Sequence, residues 1–257
     1  MQRSRTLSGR PAVSAGHSPI VANLDLPSPL EIPAGATELE GFLDWCASDA
    51  FPPGVKASLI NGILRIENSV DHVSHHNILK TEVARALGNL SKATRLGRVL
   101  TDGAMYAHRG DGTGNEPDVL LLLWTSLLSR RSAIEARHPG GTEIVRGSAD
   151  LVVECVSPSS VRKDTVDLPP AYFAAGVREY WILDGRDGLA FTLLTRTEDS
   201  TDWDEVAPAA DGSRLSPLLD RRVTISQETD PAGGIDWDVR LEEPAGGTSA
   251  EQETPPA

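Results

Sequence analysis

Residues 116–124 read EPDVLLLLW, and residues 149–164 read ADLVVECVSPSSVRKD. Both hold apolar runs too hydrophobic to face water on either side, which predicts two central β-strands buried on both faces. Each run also carries an acid: Asp118 opens the first, and Glu154 sits inside the second. A carboxylate among apolar neighbours is costly unless something compensates it, and a lone buried glutamate is rare. The two acids therefore mark where the chain does more than pack.

Working outward, REYWILD (178–184) is a third central strand. DLPPAYFAAG (167–176) predicts the helix that leads to it, with Pro169 and Pro170 tolerable only in its first turn and Gly176 closing it. Upstream, KASLINGILRIEN (56–68) predicts a hairpin around Asn61-Gly62, a pair suited to the positive φ of a tight turn. HVSHHNILKTEVARALGNLSKA (72–93) predicts a long amphipathic helix through Ile78, Leu79, Val83 and Leu87. GATELEGFLDWCASDAF (35–51) predicts a first helix with Thr37 as its N-cap. GRVLTDGAMYAHRG (97–110) gives one or two strands, and residues 125–147 read as helix or loop. LAFTLLTR, WDEVAP, RRVTI and IDWDVRLEE are expected as peripheral strands. This order predicts a single α/β domain with a mixed β-sheet core flanked by helices, spanning residues 36–243. Residues 1–35 and 244–257, rich in Pro, Gly, Ser and Thr, are expected to be disordered tails.

Composition narrows the class. No run of eighteen apolar residues is present, so no membrane span is expected. The start has no continuous apolar stretch of the kind a secretion signal needs. Cys46 and Cys155 both lie in apolar patterns and are expected as buried thiols in a reducing cytoplasm. Of the net charge of −13, residues 1–35 carry about +1 and residues 242–257 carry −4, which leaves −10 between them. Such a surface argues against sequence-blind clinging to nucleic acid but leaves room for a local basic patch. Lysines occur only at 56, 80, 92 and 163.

If the two acidic strands are neighbours, Asp118 and Glu154 converge at one end of the sheet. Two carboxylates, with backbone carbonyls and water, match the hard-oxygen demand of magnesium or manganese. An ion held there polarises a phosphate and activates water, and a nearby lysine stabilises the developing charge. Two acids and a lysine are a compact set for cutting a phosphodiester.

The quoted run continues through DLPPAYFAAGVREYWILD, and with LINGILRIENSVDHVSHHNILKTEV before it the pattern resembles the Uma-two family of endonucleases. That family belongs to the PD-(D/E)xK, restriction-endonuclease-like superfamily. The likeness covers residues 40–185 and extends loosely into the later strands. It implies a restriction-endonuclease-like fold and a metal-dependent endodeoxyribonuclease acting on DNA, with Asp118 and Glu154 as the metal-holding catalytic acids. Such nucleases often work as homodimers that cut both strands. The superfamily places a lysine two residues after the second acid, where this chain has Val156. Lys163, in SSVRKD, is the expected replacement, with Lys80 as the fallback.

Other residues are secondary candidates. His76 is an expected accessory group at the mouth of the site, and Glu82, on the same helix, a possible third carboxylate. His72, His75 and His76 invite a zinc reading, but no cysteine or second histidine pair completes one. Arg130 and Arg131, together with Ser159 and Arg162, are weak candidates for nucleic-acid contact. The alternative to catalysis is a degenerate nuclease fold that binds nucleic acid or a protein partner without hydrolysis, as the missing lysine at Val156 suggests. A purely structural alternative has the acids neutralised by Arg162 or Arg178.

Overall fold

The computed structural model describes residues 20–23, 30–68, 73–137 and 142–244. The chain begins with β1 (Ile20–Asn23), α1 (Leu39–Cys46), β2 (Val55–Ile60) and β3 (Ile63–Asn68). It continues through α2 (Ile78–Thr94), β4 (Gly97–Thr101), β5 (Tyr106–His108), β6 (Thr113–Asn115) and β7 (Val119–Leu123). Then come α3 (Trp124–Leu128), β8 (Ser132–Ala136), β9 (Glu143–Gly147) and β10 (Leu151–Cys155). After α4 (Leu168–Ala174) follow β11 (Glu179–Asp184), β12 (Ala190–Thr195) and β13 (Asp204–Glu205). The described chain closes with β14 (Arg214–Ser216), β15 (Arg221–Thr229) and β16 (Ile235–Glu242).

The strands form three sheets, ordered β1-β3-β2-β6-β5-β9-β8, β13-β12-β11-β10-β7-β4 and β14-β15-β16. The second sheet is the centre. There β10 runs parallel to β11, with α4 as the crossover, and antiparallel to β7. This is the mixed α/β core expected of a restriction-endonuclease-like domain. Alternation along the buried strands assigns their side chains to two layers. Leu121, Val153 and Trp181 pack towards α2 and the third sheet, against Leu79, Val83 and Trp237. Leu120, Val152 and Tyr180 pack towards α4, against Tyr172 and Ala171. A third cluster lies under α1, built on Phe42, Leu43, Leu59 and Ile66. No helix among the described residues is long and apolar enough to cross a membrane.

Local chemistry explains several elements. Asn61 and Gly62 adopt φ of 52° and 72°, the left-handed pair that closes the β2–β3 hairpin. Pro169 and Pro170 stand in the first turn of α4, and a π-helical turn at Lys163–Asp167 precedes them. A wide turn there suits two residues that cannot donate a backbone hydrogen bond.

Some expectations are corrected. A 3₁₀ turn ends at Thr37, and Glu38, without a side-chain cap, precedes α1, so Thr37 is not an N-cap. Residues 125–147, expected as helix or loop, hold among their described residues the end of the short α3 and two strands. The β8–β9 hairpin accounts for much of the rest, pairing Ile134 with Val145. Within residues 1–35, Ile20–Asn23 pair in parallel with β3, and residues 1–19 and 24–29 lie outside the described residues. Cys155 is buried and Cys46 half-buried, both as free thiols.

Glu179 ties the central sheet to the third. Fully buried, it accepts hydrogen bonds from Trp181 Nε1 at 2.7 Å, Ser216 Oγ at 2.6 Å and the Leu218 amide at 3.1 Å. Glu179→Ala strands these donors and is expected to cost about 3 kcal/mol or more in urea unfolding. A loss below about 1 kcal/mol would mean that the two sheets are joined by apolar contact alone.

Candidate active site

The β7–β10 register pairs Leu121 with Leu151, Leu120 with Val152 and Val119 with Val153. One step further brings Asp118 opposite Glu154, at the end of both strands. Asp118 Oδ2 accepts the Cys155 amide at 2.8 Å, so the side chain itself continues the ladder. Both acids are buried, with relative exposures of 6% and 2%.

Each acid meets basic side chains from a different face of the sheet, His76 from the π-helical turn Val73–Asn77 before α2 and Lys163 from the turn Lys163–Asp167 before α4. On the α2 side, His76 Nε2 lies 3.4 Å from Asp118 Oδ2, and Lys80 Nζ lies 3.7 Å from Oδ1. Lys80 also reaches Asp102 at 3.0 Å. On the α4 side, Lys163 Nζ stands 3.8 Å from Glu154 Oε2 and 2.7 Å from Asp164 Oδ1. The other oxygen of Glu154 is fixed by two neutral donors, Tyr172 OH at 2.7 Å and Asn115 Nδ2 at 3.0 Å. Oε1 is thus saturated, and Oε2 is left towards Lys163.

A cavity of about 20 Å³ is lined by Asp118, Glu154, Asp164, His76 and Lys163, with Glu67 and Glu116 at its side. It is large enough for one water-sized occupant. Charge and burial around this cavity separate the two acids. Burial pushes Asp118 up, but the His76 hydrogen bond, the charges of His76 and Lys80 and the Cys155 amide hold it at about 2. Burial pushes Glu154 up to about 8, opposed by Lys163 and reinforced by the charges of Asp164 and Asp118. Burial alone would lower Lys163, yet Asp164, Glu154 and Glu67 raise it above the ordinary lysine value.

The geometry brings together Asp118, Glu154, Lys163 and His76 from the expected set. Glu82 instead pairs with Arg85 along α2, its Oε2 2.8 Å from Nε. Arg131 and Asp150 pair at 2.9 Å at the opposite end of β10, and Arg130 is exposed at the end of α3. Ser159 is exposed and contacts Ser157, while exposed Arg162 lies 3.6 Å from Asp167. Arg178 faces Asp150, so neither Arg162 nor Arg178 neutralises the paired acids. His75 Nδ1 is bound to the Gly185 carbonyl oxygen, and His72 lies outside the described residues. Among the described residues, no three His, Cys, Asp or Glu side chains are placed to hold one ion.

Sequence reading missed Asp164, Asn115 and Tyr172. Each lies close to a residue it did single out: Asp164 follows Lys163, Asn115 precedes Asp118 by three, and Tyr172 lies in the PPAYFAAG helix.

The family model Uma2, described as "Putative restriction endonuclease", matches residues 39–226. No curated protein matches the chain.

Because Glu154 is held up in the fold, the folded protein binds more protons than the unfolded chain between the ordinary glutamate value of 4.5 and about 8. The Glu154 contribution to stability is therefore fully present below 4.5 and lost as pH rises through about 8. In chelator-treated protein, urea unfolding of Glu154→Gln is expected to show a flatter pH dependence over that window. Equal slopes for the two proteins would show that Glu154 is ionised throughout.

Proposed function

The chain belongs to the Uma2 family, and from that premise we propose that it is an endonuclease that hydrolyses phosphodiester bonds in DNA with magnesium or manganese as cofactor. One observation carries this reading: Asp118 and Glu154, from adjacent strands, face one small cavity with the Lys163 ammonium 3.8 Å from Glu154.

The residues fit such an ion. Magnesium is commonly held by one or two carboxylates, with water and substrate phosphate completing its shell, and this site offers that arrangement rather than a full protein cage. Burial raises Glu154 to about 8, and a cation beside its free Oε2 would favour the ionised form. When bound, the ion supplies Lewis-acid polarisation of the scissile phosphate.

The remaining work falls to the chain. Asp118, held at about 2, offers a charged oxygen across the physiological range. Tyr172 and Asn115 clamp Glu154 Oε1 and so orient Oε2 towards the cavity. Lys163 donates to the attacking water or to a phosphate oxygen, the role that Val156 cannot fill. Val156 is fully buried and apolar, which favours the alternative of a binding protein without hydrolysis. Lys163, reaching the same carboxylate from the turn before α4, supports the catalytic reading.

Plasmid cleavage in manganese buffer tests the proposal. Glu154→Ala is expected to reduce cleavage by at least ~100-fold and to abolish manganese heat in calorimetry. Lys163→Met is expected to slow cleavage by at least ~10-fold while leaving manganese binding in place. Equal cleavage by wild type and Glu154→Ala would defeat the reading.

A further inference from the structure

At the other end of β10 the chain gathers positive charge. Arg178 and Arg196 immediately flank the β11–β12 pairing of Glu179 with Thr195, and the Arg196 amide donates to the Arg178 carbonyl oxygen at 3.1 Å. Two like charges thus stand opposite each other across an antiparallel pair, an arrangement that destabilises a sheet. Arg131 joins them in lining a cleft of about 440 Å³ with Ser148, Gly176, Thr197 and Glu198.

The carboxylates present do not balance these cations. Asp150 is fully buried and already engaged through both oxygens. Its Oδ1 accepts from Ser126 at 2.7 Å and Arg131 at 2.9 Å, its Oδ2 accepts from the Leu123 amide at 2.8 Å, and Arg178 comes only to 3.5 Å. Glu198 is exposed at the rim. Three guanidinium groups therefore face two carboxylates, in a chain whose net charge is −13. Arg131 registers the crowding: burial lowers its pKa, Asp150 opposes, and Arg178 and Arg196 lower it further.

Two of the three are also pre-positioned. Arg131 donates to the Gly176 carbonyl oxygen, and Arg196 donates to that of Phe173 at 2.5 Å with its guanidinium carbon 4.1 Å from the Phe173 ring centre. Arg178, with its side chain 48% exposed, supplies the exposed donor at the mouth. Fixed guanidinium forks around an open cleft suit a tetrahedral anion with several acceptor oxygens.

We propose that the cleft between Arg131, Arg178 and Arg196 binds a phosphate group, at a site separate from the paired acids. Asp150 precedes Glu154 by four residues, so the two sites lie about 13 Å apart along the strand. The phosphate is either a free anion or part of a nucleic-acid backbone, and the test separates the two.

Full-length protein in chelator is titrated calorimetrically with inorganic phosphate and, separately, with a short DNA duplex at several salt concentrations. If the ligand is the free anion, phosphate binds wild type, and Arg178→Ala with Arg196→Ala weakens it at least ~10-fold. If it is a backbone phosphate, inorganic phosphate gives no heat. Duplex affinity then falls in the double variant, and the salt slope drops by about one per arginine removed. Arg240→Ala, on β16, serves as the control for lost charge and is expected to change neither. If the double variant melts early, Arg178→Gln alone provides the same readout from an exposed position. Unchanged binding of both probes in a folded variant overturns the proposal. Cleavage is not a readout, so the result is independent of the nuclease assignment.

Discussion

The amide of Cys155 donating to Asp118 is the contact on which the site depends. Both strands are buried on both faces, so no carboxylate can be accommodated along their middles. At the strand ends, however, the ladder runs out of backbone partners, and a side-chain oxygen can serve as the next rung. Asp118 does this, and the antiparallel register then fixes Glu154 beside it. The positions of the two acids follow from β-pairing and do not require a flexible loop to hold them.

Their different chemistry follows from what each face of the sheet supplies. The α2 side presents His76 and Lys80, which keep Asp118 ionised. The α4 side presents Lys163, whose charge is shared with Asp164, so Glu154 is only partly compensated. Two carboxylates lining one cavity are thereby shifted in opposite directions, Asp118 down and Glu154 up. Such a division recurs where neighbouring acids have separate duties. The tyrosine layer contributes rigidity: Tyr172 packs edge-on against Tyr180 while its hydroxyl holds Glu154.

Much of this was legible in the chain. The apolar runs predict the central strands, Asn61-Gly62 predicts the hairpin, and the proline pair followed by Gly176 predicts the crossover helix, because each is a local rule acting on a few residues. The β8–β9 hairpin was not legible, since Glu135, Glu143 and Arg146 interrupt short strands whose buried residues, Ile144 and Val145, pack against distant elements in the α1 and α4 clusters. The partner of an arginine is equally invisible to spacing. Arg130, Arg131 and Arg137 look like one basic cluster. In the fold, Arg131 faces Asp150, Arg137 joins Glu40 and Asp44, and Arg130 stays exposed. Tyr172 and Asn115 went unnoticed because their role exists only once Glu154 is in place.

The third sheet has a bearing on where this protein can be shortened. β16 pairs with β15 along eight residue pairs, and its Trp237 and Val239 fill the same apolar layer as Val83 and Val153. A fragment ending before Ile235 would remove that cover and leave β15 with an open edge. The last strand is in this sense a wall of the interior, and trimming it would uncover the side of the sheet on which α2 carries Lys80.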